Sequence, residues 1–298
     1  VITYTQLLNT AGTIEADLTV TKLDDDRYWV VATDTAHRHV ETRMRRYFGD
    51  HHAIVTDVTS GHAQLNVQGP RSRQLLQSVT SADLSNESFP FRTARQIDIG
   101  FAQVLCVRIT YLGELGYEVY VSAEQAVHVY DRIVAAGEAV GLRHAGLKAL
   151  GSLRMEKGYR DYGHDIDNTD SVLEAGLGFA VDLDKPDGFI GRDAVAARKA
   201  AGPLTRRLIQ VLIDDPEPMM FHAEVLRRDD RPVGYVRAAS YGFTLGGAVG
   251  LVMVEAGEPV TGTYLSSGCW DVEIAGRRYR ARVSMRPLYD PDNLRIKA

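Results

Sequence analysis

The stretch "RITYLGELGYEVYVS", Arg108–Ser122, alternates apolar and polar residues on either side of a glycine-flanked break at Gly113 to Gly116. Period-two alternation interrupted by glycines predicts a strand, a reversal and a second strand. A helix is expected directly after it, from about Ala123 to Ala136, with Val127, Tyr130, Ile133 and Val134 on one side. A hairpin feeding a helix sets the class as mixed α+β. Glu114 stands among the turn glycines and reads as structural, satisfying backbone donors where the chain reverses. Glu118 lies inside "YEVYV", between Tyr117 and Tyr120. A half-buried carboxylate needs a partner or it protonates. The competing reading is a strand whose polar face looks to solvent, with Glu118 and Tyr120 outward together, and the pattern leaves both open. If Glu118 is buried, a carboxylate beside aromatic rings suits a flat, donor-rich heterocycle such as a pterin, whose adjacent N–H donors it can accept in bidentate fashion while tyrosines stack on the ring.

Outward from this stretch, strands and helices interleave. "DLTVTKL" and "RYWVVAT" read as strands joined by Asp24-Asp25-Asp26, and Asp34 is expected to cap a helix running to about Tyr47. "HAQLNVQ" is a strand, Gly69-Pro70 a break, and Leu75, Leu76 and Val79 the inward face of the helix that follows. Strands are expected in "RQIDIG" and "FAQVLCVRITYLG". A further helix runs from Ala145 to a C-cap at Gly158. From residue 203 the pattern changes to short strands broken by Gly and Pro, the signature of a small antiparallel barrel or sandwich. This gives a division into residues 1–202 and 203–298. The chain lacks an initial Met and is strand-like from its second residue, so it reads as a domain entered partway, short of its first strands. Unpaired sheet edges then make poor solubility the expectation for these residues alone.

Composition narrows the function. The 298 residues carry 34 Lys and Arg against 39 Asp and Glu, a formal charge of -5 that offers no overall basic field for nucleic acid or an anionic membrane. Apolar runs such as Ala248–Val254 are too short to span a bilayer, and no segment resembles a signal or transit peptide. Cys106 and Cys269 lie in strand-like runs without CxxC spacing, which predicts buried thiols in a reducing compartment. A cytoplasmic location follows, or the mitochondrial matrix in a eukaryote. No GxxxxGK[ST] loop occurs, and "GLGF" at Gly176 lacks the glycine and helix of a dinucleotide fingerprint. The adjacent His51 and His52 point to opposite faces of a strand and cannot chelate one metal, so no metal is expected. Neither Ser72 nor Ser152 has the setting of a hydrolase nucleophile.

Five blocks in order, "YTQLLNTAGTIEADLTV", "RITYLGELGYEVYV", "ALGSLRMEKGYRDYGHDIDNTDSVLEAGLGFAVDLDKPDGFIGRDA", "PVGYVRAASYGFTLGGAVGLVMV" and "PLYDP", resemble the tetrahydrofolate-dependent aminomethyltransferases of the glycine cleavage T-protein family. "MEKGYRDYGHDI" and "LEAGLGFAVDL" are more similar to the C-terminal folate domains of dimethylglycine and sarcosine dehydrogenases. Where the T-protein helix has an arginine, this chain has Leu150. The resemblance implies capture of the carbon from oxidative demethylation of dimethylglycine or sarcosine as 5,10-methylenetetrahydrofolate. The cofactor is tetrahydrofolate, and the partners are an amine-derived small molecule and a flavin domain or subunit. FAD itself enters only with an upstream domain. By the residues alone Asp17, at the mouth of a strand, is a turn-closing aspartate. By the resemblance it is the catalytic acid–base, with Glu15 and Ala16 giving backbone contacts. Glu118 then grips the pterin edge, with Tyr111, Val119 and Tyr120 beside it, and Tyr241 contacts folate from the barrel; alone, Tyr241 reads equally as a turn residue.

Other conspicuous residues read as scaffold: Arg154 and Glu156 as a buried ion pair or helix-end support, His164-Asp165 as a loop fastener, Arg192 as an anchor of the linker, and the arginines of "RRLIQ" and "GRRYRAR" as solvated strand faces. Two further functions fit the same blocks. One is a stand-alone aminomethyltransferase acting on a lipoyl-bound group, which calls for a basic surface toward an acidic carrier. The other is a folate-binding module without turnover, against which "RMEKGYRDYGHD" lacks the cysteine of iron-sulfur maturation relatives.

Overall fold

The computed structural model describes residues 1–298. In chain order its elements are β1 (Ile2–Leu8), β2 (Ile14–Lys22), β3 (Tyr28–Ala32), α1 (His37–Arg46), β4 (His62–Gln68), α2 (Ser72–Gln77), β5 (Ala94–Ile99), β6 (Ala102–Val107), β7 (Gly116–Ser122), α3 (Ala126–Gly137), α4 (Leu147–Glu156), α5 (Arg192–Ala200), β8 (Arg206–Ile213), β9 (Val225–Arg228), β10 (Arg231–Gly242), β11 (Gly247–Glu255), α6 (Gly262–Ser267), β12 (Trp270–Ile274) and β13 (Arg277–Ser284). They form a sheet of order β1-β2-β3, an antiparallel sheet of order β4-β7-β6-β5, and a closed six-stranded antiparallel barrel, β10-β11-β8-β13-β12-β9. The mixed α+β class and the antiparallel barrel expected from the sequence are both found.

Two compact units emerge, one of residues 1–3, 19–146 and 292–298, the other of residues 4–18 and 147–291. In the first, the apolar face of β4-β7-β6-β5 is covered by α2 and α3 around Val67, Leu76, Phe89, Val104, Val119 and Ile133. In the second, β8 is buried on both sides. Ile209, Val211 and Ile213 point into one cluster with Val252 and Trp270, while Leu208 and Leu212 join Leu8, Ile14, Met155 and Leu177 in another. Gln210 in this strand is satisfied from both ends, donating to the carbonyls of Met155 and Glu156 and accepting from Leu288 N.

Four local expectations are corrected. Asp34 does not cap α1: its side chain accepts from Thr35 N, and Ala36 is the N-cap without a side-chain bond. The first arm of the quoted hairpin is not a strand. The β6 strand ends at Val107 because the next side chain, fully buried Arg108, turns inward to donate to the carbonyls of Phe89 and Ala298 at 2.6 and 3.0 Å. Helix α3 buries Val129, Ile133 and Gly137, leaving Val127 and Tyr130 exposed, since a short 3₁₀ turn at Ala123–Gln125 precedes it and shifts the helical phase. Cys106 is buried, its thiol pushed up to about 12 by desolvation, but Cys269 is exposed at the edge of the barrel strand β12.

Candidate functional site

Strand β2 buries Ile14, Ala16 and Leu18 and turns Glu15 and Asp17 to the other face, as period-two alternation dictates. The turn before it is fixed by Asn9, whose side chain accepts from Ala11 N and Thr13 N and donates to Glu15 Oε1 at 3.0 Å. Gly191 is required beside this turn, because a Cβ there would lie 2.4 Å from the Asn9 carbonyl. Across from Asp17, Tyr4 and Gln6 are two residues apart and so share one face of β1. Tyr4 OH donates to Asp17 Oδ2 at 3.0 Å and Gln6 Nε2 donates to Oδ1 at 2.9 Å. Burial pushes the Asp17 carboxyl up to about 6; the Gln6 and Tyr4 bonds hold it back from going higher, and the carboxylates of Asp165 and Asp161 push it further. Half-buried Arg160 donates to the carbonyls of Ala175 and Gly158, and its guanidinium in turn feels Tyr4, Asp165 and Asp17.

The second carboxylate stands on β7. Glu118 and Tyr120 do share a face, as the solvent-facing reading supposed, yet that face is covered. Tyr120 OH donates to Glu118 Oε2 at 2.5 Å. The Tyr120 ring packs edge-on to Trp29, with centroids 5.7 Å apart, in a cluster with Ile2, Val31 and Val107. Burial raises the Glu118 carboxyl, opposed by the bond from Tyr120, and desolvation followed by the Glu118 charge drives the Tyr120 phenol upward. Trp29 Nε1 is buried without a hydrogen-bond partner in the chain.

The remaining named residues occupy different settings. Ala16 is fully buried. Val119 points to the opposite face of β7 from Glu118, into the core. Tyr111 is half-buried in the bend that follows Arg108. The Tyr241 carbonyl accepts from Ser152 Oγ at 2.6 Å, and its ring tilts against Phe243. Arg154 and Glu156 are not paired with each other, since residues two apart on a helix point away from one another. Arg154 binds Asp165 at 3.0 Å, and Glu156 accepts from Thr244 N and Leu245 N at 2.7 and 2.9 Å. Arg206, expected on a solvated face, bridges Asp170, Glu174 and Glu255. Tyr4, Gln6, Trp29 and Arg160 escaped the reading of the sequence. For Tyr4 and Gln6 the signal was available, two polar residues in alternation on the strand preceding Asp17. No group of three or more His, Cys, Asp or Glu is arranged to hold a metal, and no helix is long and apolar enough to cross a membrane.

Residues 1–185 match the family model described as the GCVT N-terminal domain, and residues 206–290 match that of the glycine cleavage T-protein C-terminal barrel domain. The chain belongs to the glycine cleavage T-protein family. This is a family of tetrahydrofolate-dependent one-carbon transfer. Its relatives include a 4-methylaminobutanoate oxidase (formaldehyde-forming) of Paenarthrobacter nicotinovorans, 38% identical over 99% of this chain and 35% of the relative. A mitochondrial sarcosine dehydrogenase of Mus musculus is 35% identical over 99% of the chain and 34% of its own length. An aminomethyltransferase of Symbiobacterium thermophilum is 33% identical over 97% of the chain and 76% of its own length. The chain thus spans about a third of the length of the first two relatives. Among solved structures, the aminomethyltransferase T of the glycine cleavage system from Bartonella henselae shares the fold, with a TM-score of 0.83 over 97% of this chain and 76% of that one at 22% identity.

The T-protein family's folate fits the polar groups around Glu118. Glu118 keeps one carboxylate oxygen without a partner in the chain, and Trp29 Nε1 is an orphaned donor. A ring system bearing both N–H donors and acceptor atoms can satisfy both groups.

Proposed function

We propose that the chain captures the carbon released on oxidation of an N-methyl amine as 5,10-methylenetetrahydrofolate, with residues 1–202 as the folate-binding part and 203–298 as the barrel part. Bound tetrahydrofolate supplies two neighbouring nitrogens that can hold one carbon between them. In this reading Glu118 accepts the N–H donors of the pterin edge, with Tyr120 fixing the carboxylate, Tyr111 beside the ring and Trp29 completing the wall. Glu15 and Ala16 hold the strand from which Asp17 projects, and Tyr241 is a further folate contact. Asp17 removes a proton from the attacking nitrogen and returns it to the departing amine. The observation that carries the proposal is the state of Asp17, half-buried, hydrogen-bonded only by a phenol and an amide, and raised to about 6. A general base works best when its pKa lies near the working pH, and a scaffold carboxylate has no use for that setting. In this reading a flavin domain or subunit oxidises the amine, oxidation being what the names of the oxidase and dehydrogenase relatives say of those proteins.

The test is Asp17→Asn. It should keep tetrahydrofolate affinity by calorimetry and lower methylene capture by about 10²–10⁴, the usual range for a general acid–base; undiminished product formation sinks the assignment. One observation speaks for the stand-alone aminomethyltransferase instead. A cavity of about 430 Å³ is lined by Phe179, Arg198, Lys199 and Arg207, none of the three cations is in an ion pair, and Phe179 stacks on Tyr4. That is the basic surface an acidic carrier requires. Transfer from an aminomethyl-lipoyl carrier at rates above those from free iminium favours this second reading.

A further inference from the structure

The amide of Gln6 is only half used. Its Nε2 donates to Asp17 Oδ1, while Oε1 is buried and has no hydrogen-bond partner in the chain. Buried carbonyl oxygens are nearly always satisfied, so each exception calls for a donor. The amide cannot be turned over to repair the deficit, because Oε1 would then face an ionised carboxylate and Asp17 would lose its donor. The two ends of one planar group are therefore committed, Nε2 to Asp17 and Oε1 to something that brings an N–H or O–H alongside Asp17. Asp17 beside it meets no cation in ion-pair contact, the nearby Asp165 being paired with Arg154 at 3.0 Å, so the charge of Asp17 is left for a cationic donor.

We infer that Gln6 is a specificity-determining residue for the carbon donor: its Oε1 accepts from an iminium that carries an N–H, of the type CH2=NH+–R. Such iminium ions come from secondary N-methyl amines, whereas a tertiary amine gives an N,N-disubstituted iminium with no hydrogen to donate. The inference rests on the proposed one-carbon transfer and narrows its substrate class. The transfer balances without an oxidant. The carbon's bond to the donor nitrogen breaks and two carbon–nitrogen bonds to the acceptor form; the acceptor nitrogens give up two protons, the donor leaves as R–NH3+, and one positive charge stands on each side. Gln6 holds Asp17 facing the donor nitrogen so that the same carboxylate can hand over those protons one at a time.

The test needs neither folate nor turnover for its first readout. Acetamidinium is a stable planar cation with N–H donors, and its N-permethylated counterpart has none. On the full chain, calorimetry should give the N–H cation at least a tenfold tighter Kd, and it alone should move the Gln6 side-chain amide resonance, assigned by its loss in Gln6→Met. In Gln6→Met the preference should fall to within threefold, with Gln6→Leu as a second variant should the first fold poorly. Equal affinities in the wild type, or a preference that survives both variants, overturns the inference. The second readout runs transfer backwards from 5,10-methylenetetrahydrofolate, onto glycine to give the N–H iminium and onto sarcosine to give the N-methyl one. A tenfold kcat/KM advantage for glycine, lost in Gln6→Met while tetrahydrofolate binding is kept, is expected; transfer without selectivity overturns the role of Gln6 alone, and no transfer to either amine overturns the proposed reaction as well.

Discussion

Asp17 and Asp170 are both aspartates withdrawn from water in the same compact unit, and they are stabilised by opposite means. Asp170, with no exposed surface, meets Arg206 at 2.7 Å and Arg237 at 2.6 Å, and it also accepts from Asp167 N. Asp17 meets a phenol and an amide, with no cation in ion-pair contact. Two guanidinium groups pair with Asp170 and so tie β8 and β10 to the segment around residues 165–171. Neutral donors support the Asp17 carboxylate without compensating its charge, so its proton stays within reach of neutral pH. Burial alone therefore says little about role; the charge state of the partners separates a rivet from a reactive group.

The largest effect should come from breaking the riveted side of this comparison. Asp170→Ala strands Arg237, whose Nε is already without a partner, and leaves Arg206 only Glu174 and Glu255. Removing one member of a buried ion pair costs about 3–5 kcal/mol, and urea unfolding should show a loss of that order. A loss below about 1 kcal/mol, the value of exposed pairs, would show the network to be ornamental.

Asp17→Asn should move stability the other way. With the folded carboxyl raised from 3.8 to about 6, the folded state holds more protons than the unfolded one between those values, so Asp17 contributes stability below them that is lost as pH rises through 6. At pH 8 the whole cost is present, about 2–3 kcal/mol for a shift of that size. The amide variant escapes it. Unfolding at pH 8 should find Asp17→Asn more stable than wild type, with the gap closing as pH falls toward 4. A variant less stable at pH 8 would place Asp17 with Asp170 as scaffold.

Much of this frame was legible in the residues. Alternation gave β2, β4 and β5, the glycine at 158 marked the end of α4 and indeed takes φ +64, and short Gly-punctuated runs announced the barrel. Failures came wherever a partner distant in sequence decides. A valine-rich helix such as α3 offers two equally apolar phases, and only the sheet beneath it selects Val129 over Val127. Arg108 reads as one more strand residue until the carbonyls of Phe89 and Ala298 are seen to claim it. Arg154 and Glu156 look like a pair on paper, yet their partners lie at Asp165 and at Thr244. For the candidate site, Glu118 was conspicuous as a carboxylate in an otherwise apolar strand but its burial stayed open, and Asp17 reads as a turn aspartate until the family resemblance assigns it the acid–base role. Tyr4, Gln6 and Trp29 were passed over because polar and aromatic residues on strands are ordinary until their neighbours are known.

The smallest effect concerns the second carboxylate, which resembles Asp17 in having a neutral donor and differs in having one where Asp17 has two. Tyr120→Phe deletes that donor and leaves the ring against Trp29. Stability should change by only about 1 kcal/mol, the net worth of one hydrogen bond. The informative readout is tetrahydrofolate affinity against pH. The Tyr120 hydroxyl opposes the upward push of burial on Glu118, so its loss raises the carboxyl further. A protonated Glu118 cannot accept two N–H donors, and the pH at which affinity halves on acidification should therefore move up in the variant. If Glu118 instead served only to satisfy the tyrosine, the affinity profile would stay where it is, and the pterin edge would have to be held by another acceptor.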